Sequence, residues 1–406
     1  MLKRVLSILL AIILHFSAFA QQDSVVNDTA VKSHLRISLL TCSPGEEIYE
    51  TFGHSAIRII DSSKAGRERD LVYNFGFLDS SPENTVLHQF LTDRVHVYLA
   101  TNTMDEFNFQ YGREKRGVEE LVFLLSGEDK MRIQKYLANN LRRENRYYEY
   151  SSAYDNCCTR ILGIFTSVFG NRFVPGNVLP KGVTLHFRQF TDRCGPQAIQ
   201  HKYWFSTGMK ILFGCGADRI PTNMEAMYIA DYLQDGIAGA TVDGRKLCDT
   251  KTVLFENRVK WPDAVNEPVI VFWCIAVVTI ISVVVKRLRI LGSIMSTLVL
   301  FLTGVLGCYI IYVWSIDAEP GWKDNFNVLW ALPTNLIIPF CSSRIKSKYS
   351  IVALSLIAVV FIVHFLNIQI IPLYEISSVL LTLVFVYGVM YRKAVFGNND
   401  KKIQAR

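Results

Sequence analysis

The sequence predicts an α+β domain followed by an α-helical membrane bundle. Half of the 406 residues are hydrophobic, too large a share for an ordinary soluble protein of this size. The excess is concentrated in residues 1–20 and 267–391. Between them lies a stretch of ordinary globular composition in which strand-period and helix-period segments alternate. That stretch carries His54 on a strand pattern and Cys157 at the start of a helix pattern, the two parts a thiol nucleophile needs.

The chain opens with basic Met1-Leu2-Lys3-Arg4, an apolar run from Val5 to Phe16 and the small-x-small triplet Ala18-Phe19-Ala20. This is the layout of a secretory signal peptide over residues 1–20. No cysteine borders the cleavage point, so the protein itself is not expected to be a lipoprotein. Residues 21–35 are polar and predict a flexible N-terminus; a globular domain is expected over 36–262. In it Ile37–Thr41 reads as a strand, and Ser43-Pro44-Gly45 turns into a short helix at Glu47–Phe52. His54–Ile60 and Leu71–Phe77 read as a hairpin around the polar loop Asp61–Asp70, with a further strand at Glu119–Leu125. Ser126, with Asp129 three residues on, caps a helix running to about Leu141. Cys157–Phe169 is a helix with Ile161, Leu162, Phe165 and Val168 on one face.

Beyond it, Val269–Val285, Ile290–Trp314, Ile351–Leu366 and Ile370–Tyr391 each approach the ~20 apolar residues that span a bilayer. A further candidate, Val328–Cys341, is short and interrupted by Pro333 and Pro339. The basic clusters at Lys286–Arg289, Arg344–Lys348 and Arg392–Arg406 all fall on the cytoplasmic side only if the chain crosses five times. The expectation is therefore a bundle of about five spans over 267–391 and a cytoplasmic tail over 392–406. This placement accounts for much of the net charge of +7, so no nucleic-acid partner is expected. Trp314, Trp322 and Trp330 fit the outer headgroup level.

The nine cysteines include no CxxC pair and no zinc-like spacing, and neither a metal nor another cofactor is expected. Cys274, Cys308 and Cys341 fall in the membrane region; Cys42, Cys194, Cys215 and Cys248 are either disulfide partners or free buried thiols.

Strand alternation puts His54, Ala56, Arg58 and Ile60 on one face, and Val72, Asn74 and Gly76 on one face of the partner strand. If the hairpin aligns these faces, Asn74 can hold the imidazole in one tautomer. Cys157 follows Asp155-Asn156 in a first helical turn, where unpaired N–H groups and the macrodipole favour a thiolate. The same N–H groups can hold an oxyanion, an interaction worth ~3 kcal/mol. Cys158 lies about 100° further round the helix and cannot occupy the same place. Taken singly, the same residues also read as a satisfied core histidine and as packed or disulfide-linked cysteines.

Phe52-Gly53-His54-Ser55-Ala56-Ile57-Arg58, together with Tyr154-Asp155-Asn156-Cys157-Cys158-Thr159-Arg160, resembles the Lnb family of Bacteroidota. Thr41–Gly45, Glu144–Tyr148 and Asn325–Trp330 extend the resemblance over nearly the whole mature chain. More distantly, His before Cys is the order in circularly permuted papain-like folds, such as the lecithin retinol acyltransferase group. The resemblance implies a permuted papain-like (NlpC-like) periplasmic domain on the inner membrane. It also implies lipoprotein N-acyltransfer, with a phospholipid as acyl donor and diacylglyceryl-modified lipoproteins as acceptors. It carries the role of base onto His54 and of nucleophile onto Cys157; the family usually shows a small residue where this chain has Cys158. Asn74 is expected to orient the imidazole. Arg58 and Arg160 are candidates for phosphate or carboxylate contacts, with an ion pair to Asp155 or Glu47 as the alternative. Asn325 and Asn327 are candidates for lining the lipid entry, with satisfied loop asparagines as the alternative. Two other readings compete: a membrane-tethered cysteine amidase or peptidase acting on peptidoglycan, and a non-enzymatic membrane scaffold.

Overall fold

The computed structural model describes residues 33–78, 95–193, 199–261, 263–316 and 320–404; the expected signal peptide lies outside them. Along the chain come β1 (Leu35–Cys42), β2 (His54–Asp61), β3 (Asp70–Leu78), β4 (Val95–Thr103), α1 (Met104–Glu114), β5 (Val118–Val122), α2 (Gly127–Asn140) and β6 (Tyr147–Tyr150). They are followed by α3 (Cys157–Phe169), β7 (Phe173–Val174), α4 (Phe187–Arg193), α5 (Lys202–Leu212), α6 (Asn223–Ala226) and α7 (Ala230–Ala238). Three short strands, β8 (Thr241–Val242), β9 (Arg245–Lys246) and β10 (Thr252–Phe255), close the domain.

Seven strands form one antiparallel sheet in the order β10-β5-β1-β2-β3-β4-β6. The period-two alternation sorts its side chains into two cores. Ile37, Leu39, Ile57, Ile59, Tyr73 and Phe75 face one way and are covered by the apolar faces of α2, α3 and α7. Leu40, Cys42, Ala56 and Val72 face the other way, against Met104, Phe107 and Tyr111 of α1. A sheet buried between helical layers is the α+β domain the sequence predicts.

Four helices follow that are long and apolar enough to cross a membrane: α8 (Glu267–Val284), α9 (Arg289–Ser315), α10 (Ser343–Phe365) and α11 (Leu373–Gln404). The expected span at Val328–Cys341 is not an α-helix. It is a strap of three 3₁₀ turns, Phe326–Leu329, Pro333–Leu336 and Ile338–Phe340, because Pro333 and Pro339 lack the N–H that a continuous helix needs. The buried Asn335 stitches the strap to its surroundings. Its amide donates to Thr303 Oγ1 (3.0 Å), and its oxygen accepts from the Tyr349 (2.7 Å) and Tyr387 (2.8 Å) hydroxyls. Gly307 of α9 permits the close approach, since a Cβ there would sit 1.8 Å from the Ala331 oxygen.

The sheet domain docks on this bundle through α4 and α5. Arg188 is buried on Asp218, and its Nη2 also donates to the Phe213 and Gly214 oxygens. Asp218 in turn accepts the backbone N–H of Ile370, and Lys210 of α5 pairs with Glu375 of α11.

Candidate active site

The site begins where a loop becomes β2. Gly53 has φ +75°, and a Cβ there would meet the Cys42 oxygen at 2.6 Å, so glycine is required at this turn. The preceding loop is pinned by the buried Arg116, which donates to the Ser43 carbonyl (2.8 Å) and to Glu50 (3.0 Å). His54 therefore enters β2 at a fixed point, opposite Cys42.

The β2–β3 register pairs Ile57 with Tyr73 and Arg58 with Val72, which puts His54 and Asn74 on one face. His54 Nε2 lies 3.2 Å from Asn74 Oδ1. The Asn74 amide nitrogen is taken by Asn102 Oδ1 (3.1 Å) and the Val72 oxygen (3.3 Å), so its oxygen is the atom turned to the ring. That oxygen can only accept, which places a proton on Nε2 and leaves Nδ1 to the sulfur.

Cys157 is the first residue of α3, and Asn156 is its N-cap. The Asn156 oxygen accepts from the N–H groups of Cys158 (2.8 Å) and Thr159 (3.0 Å), while its amide donates to the Ser152 (2.7 Å) and Tyr228 (2.8 Å) oxygens. The helix start is thus tied on both sides, and the cap leaves the N–H of Cys157 itself uncommitted.

The half-buried Cys157 thiol is held well below its usual range. The Cys158 thiol hydrogen-bonds its sulfur across 3.8 Å, and the charge and hydrogen bond of His54 and the Ser55 backbone N–H add to this against the opposing effect of burial. Cys158 moves the other way: its bond to Cys157 and its burial push it well above the thiol range, so it stays a protonated donor, also 3.7 Å from Ser55 Oγ. Burial is the largest effect on Cys42 and Cys248, and both are pushed up to about 12. Among the described thiols of the sheet domain, Cys157 is the one held below the usual thiol range. The eight cysteines among the described residues are free; Cys194 lies outside them.

The structure brings Cys157, His54 and Asn74 together and keeps Arg160 close by. Arg160 pairs with Asp155, and its guanidinium stacks 3.9 Å over the Tyr148 ring. Three expected binding residues lie elsewhere. Arg58 shares the His54 face, but its guanidinium is spent on Asp70 (2.6 Å) and the buried Glu120 (3.2 Å); the ion-pair alternative holds, with partners other than those expected. Asn325 and Asn327 are buried at the joint with the bundle, where both amides donate to the Ile211 oxygen and Asn325 also to that of Leu212. They satisfy the free carbonyls at the end of α5 rather than lining a lipid entry. Trp330 is 2% exposed and donates to Asn327 Oδ1, so its ring packs inside the protein.

Sequence reasoning missed Asn102, Ser55 and Tyr148. Their role depends on β4, on the partner of Cys158 and on β6, none of which leaves a periodic signal of its own. Among the described residues no cluster of His, Cys, Asp or Glu is arranged to hold a metal ion.

Two family models match the chain: the Lnb N-terminal periplasmic domain over residues 21–176 and the Lnb transmembrane domain over residues 261–395. No curated protein and no solved structure matches it.

Proposed function

The chain belongs to the Lnb family, and from that premise we propose that it is a lipoprotein N-acyltransferase of the bacterial inner membrane. In this reading a permuted papain-like catalytic domain stands in the periplasm, with histidine preceding cysteine along the chain. The 3₁₀ strap is the fifth crossing. One of its ends is bonded to α5 through Asn325; at the other, the Pro339 oxygen accepts from Lys346 in the first turns of α10. A run of about 16 residues rising ~2 Å each spans the ~30 Å hydrocarbon core. Non-helical backbone is tolerated at that depth where neighbouring helices and side chains satisfy its polar groups, as Asn335, Tyr349 and Tyr387 do at the middle of the strap.

The reaction proceeds in two halves. The Cys157 thiolate attacks the ester carbonyl of a phospholipid, forming a carbon–sulfur bond and a tetrahedral oxyanion. Collapse breaks the carbon–oxygen bond, and the leaving alkoxide takes the proton held by His54, giving a lysophospholipid and a Cys157 thioester. The α-amine of the diacylglyceryl-modified N-terminal cysteine then attacks the thioester. His54 takes the amine proton, the carbon–sulfur bond breaks, and an amide is left on the lipoprotein. Asn74 keeps Nδ1 aimed at the sulfur through both halves.

The observation that carries this reading is the hydrogen-bonded line from Asn74 Oδ1 through the His54 ring to a thiol of lowered pKa at a capped helix start. An apolar cavity of about 140 Å³ lies under α5 and shares no lining residue with the Cys157 site. Its walls include Ile211 from the catalytic side and Phe272, Leu302, Trp330 and Val379 from the bundle, and apolar cavities of this size stay dry and admit hydrocarbon. Fixing the domain at the membrane raises the effective concentration of two substrates that are themselves anchored there.

The full-length protein in phospholipid vesicles with a synthetic diacylglyceryl lipopeptide provides the test. Mass spectrometry should show one amide-linked acyl chain added to the lipopeptide, and none with Cys157→Ala. Release of peptide fragments instead of acyl gain would replace acyl transfer with peptidase chemistry.

A further inference from the structure

Tyr148 stands on the edge strand β6, paired with Val97 of β4, and its ring packs edge-on to Phe75 (6.5 Å between centroids) beneath the Arg160 guanidinium. Its hydroxyl is buried and has no hydrogen-bond partner among the described residues. Protein interiors rarely accept an orphaned hydroxyl, and this one belongs to the ring under Arg160, three residues along α3 from Cys157. A Cβ on Gly76 would sit 3.9 Å from the Tyr148 oxygen, and Gly76 lies two residues along β3 from Asn74, the partner of His54. Burial, reinforced by the negative charge on Cys157, pushes the phenol up, so it remains a protonated donor.

Several donors near the sulfur are already committed. The Asn156 amide is spent on the Ser152 and Tyr228 oxygens, that of Asn74 on Asn102 and Val72, and Nε and Nη2 of Arg160 on Asp155, while the Ser55 N–H bonds the sulfur itself. The hydroxyl of Tyr148 has no such partner among the described residues, and the cap leaves the N–H of Cys157 open. We propose that the Tyr148 hydroxyl is the second donor of the oxyanion hole, hydrogen-bonding the carbonyl oxygen when Cys157 attacks an acyl ester. The carbonyl electron pair moves onto that oxygen as the carbon–sulfur bond forms, Tyr148 donates without giving up its proton, and the bond relaxes when the carbonyl re-forms. This assignment rests on the acyl-transfer reading.

Tyr148→Phe in the full-length protein tests it, with p-nitrophenyl hexanoate as acyl donor. The burst that reports thioester formation should slow by about 100-fold, the loss seen when one oxyanion donor is removed. Alkylation of Cys157 by iodoacetamide builds no oxyanion, so its rate and pH profile should stay within about twofold of wild type. The apparent Tm should hold or rise, since the variant removes an orphaned buried group. A burst within about threefold of wild type overturns the assignment. So does a parallel loss in alkylation, which would make Tyr148 a positioning residue for the thiolate, and so does a lowered Tm. If the wild type forms no thioester with either this ester or phospholipid, the acyl-transfer reading falls and the assignment falls with it.

Discussion

Replacing Asn74 by alanine removes the side-chain hydrogen bond on the Nε2 side of the His54 ring. The lost bond is 3.2 Å long, and Asn74 is only 3% exposed, so water does not readily take its place. While the ring is an imidazolium, with Cys157 ionised, this is a hydrogen bond to a charged group, worth about 1.5–3 kcal/mol. At ~1.36 kcal/mol per tenfold, kcat/KM for acylation should fall about 10- to 150-fold. Asn102 loses its partner as well, so stability should drop by about 1–2 kcal/mol. The two effects separate: burst kinetics with an activated ester read the first, and thermal melting reads the second. Asn74→Asp keeps an acceptor facing Nε2 and should recover most of the orientation. If Asn74→Ala acylates within about twofold of wild type while folding normally, the imidazole is held by something else and the orienting role is wrong.

Further perturbations act on neighbouring parts of the site. Asn156→Ala removes an N-cap worth about 1 kcal/mol and two amide hydrogen bonds of about 1 kcal/mol each. Melting should therefore show a loss near 3 kcal/mol together with slower alkylation of Cys157. Cys158→Ala removes the foremost contribution to the lowered Cys157 pKa. Thiolate reactivity is lost as pH falls through the folded pKa of Cys157, so the inflection in the alkylation profile should move up toward the ordinary value of 9.0; an unmoved inflection would show that Cys158 is only packing. Arg58→Ala strips the buried Glu120 of one of its two cations. It should cost about 2–4 kcal/mol of stability while leaving turnover per folded molecule unchanged; a selective loss of turnover would return Arg58 to the site.

The parts of the site legible in the sequence are those where a local rule fixes a side chain's direction. Alternation alone puts His54 and Asn74 on one face, because the hairpin is regular from Ile57 to Ile60. Cys157 is legible because Asn156 followed by an apolar stripe marks a helix start. The strand β4 escapes notice because His96, Thr101, Asn102 and Thr103 dilute its two buried positions, Val97 and Leu99. Tyr148 sits in a four-residue strand too short to show a period. Asn325 and Asn327 mislead for a physical reason: polar residues at the edge of an apolar region read as ligands, yet here they answer carbonyls left free at the end of a helix far away in sequence. Of the partners of Arg58, Glu120 could not be read either, because it reaches the arginine only across β1. Pro333 and Pro339 did signal that the segment between α9 and α10 is not a normal helix, but only the folded bundle shows what satisfies its backbone and polar groups.

The most direct measurement is to catch the acyl-enzyme. The full-length protein is incubated with phospholipid vesicles lacking any lipoprotein acceptor, quenched in acid and digested, and the peptide spanning Cys157 and Cys158 is sequenced by mass spectrometry. An acyl group labile to hydroxylamine should lie on Cys157, be lost from Cys157→Ala and His54→Ala, and disappear from the wild type when a diacylglyceryl lipopeptide is added. An acyl group on Cys158, or full lipopeptide acylation by Cys157→Ala, would contradict a thioester mechanism at Cys157.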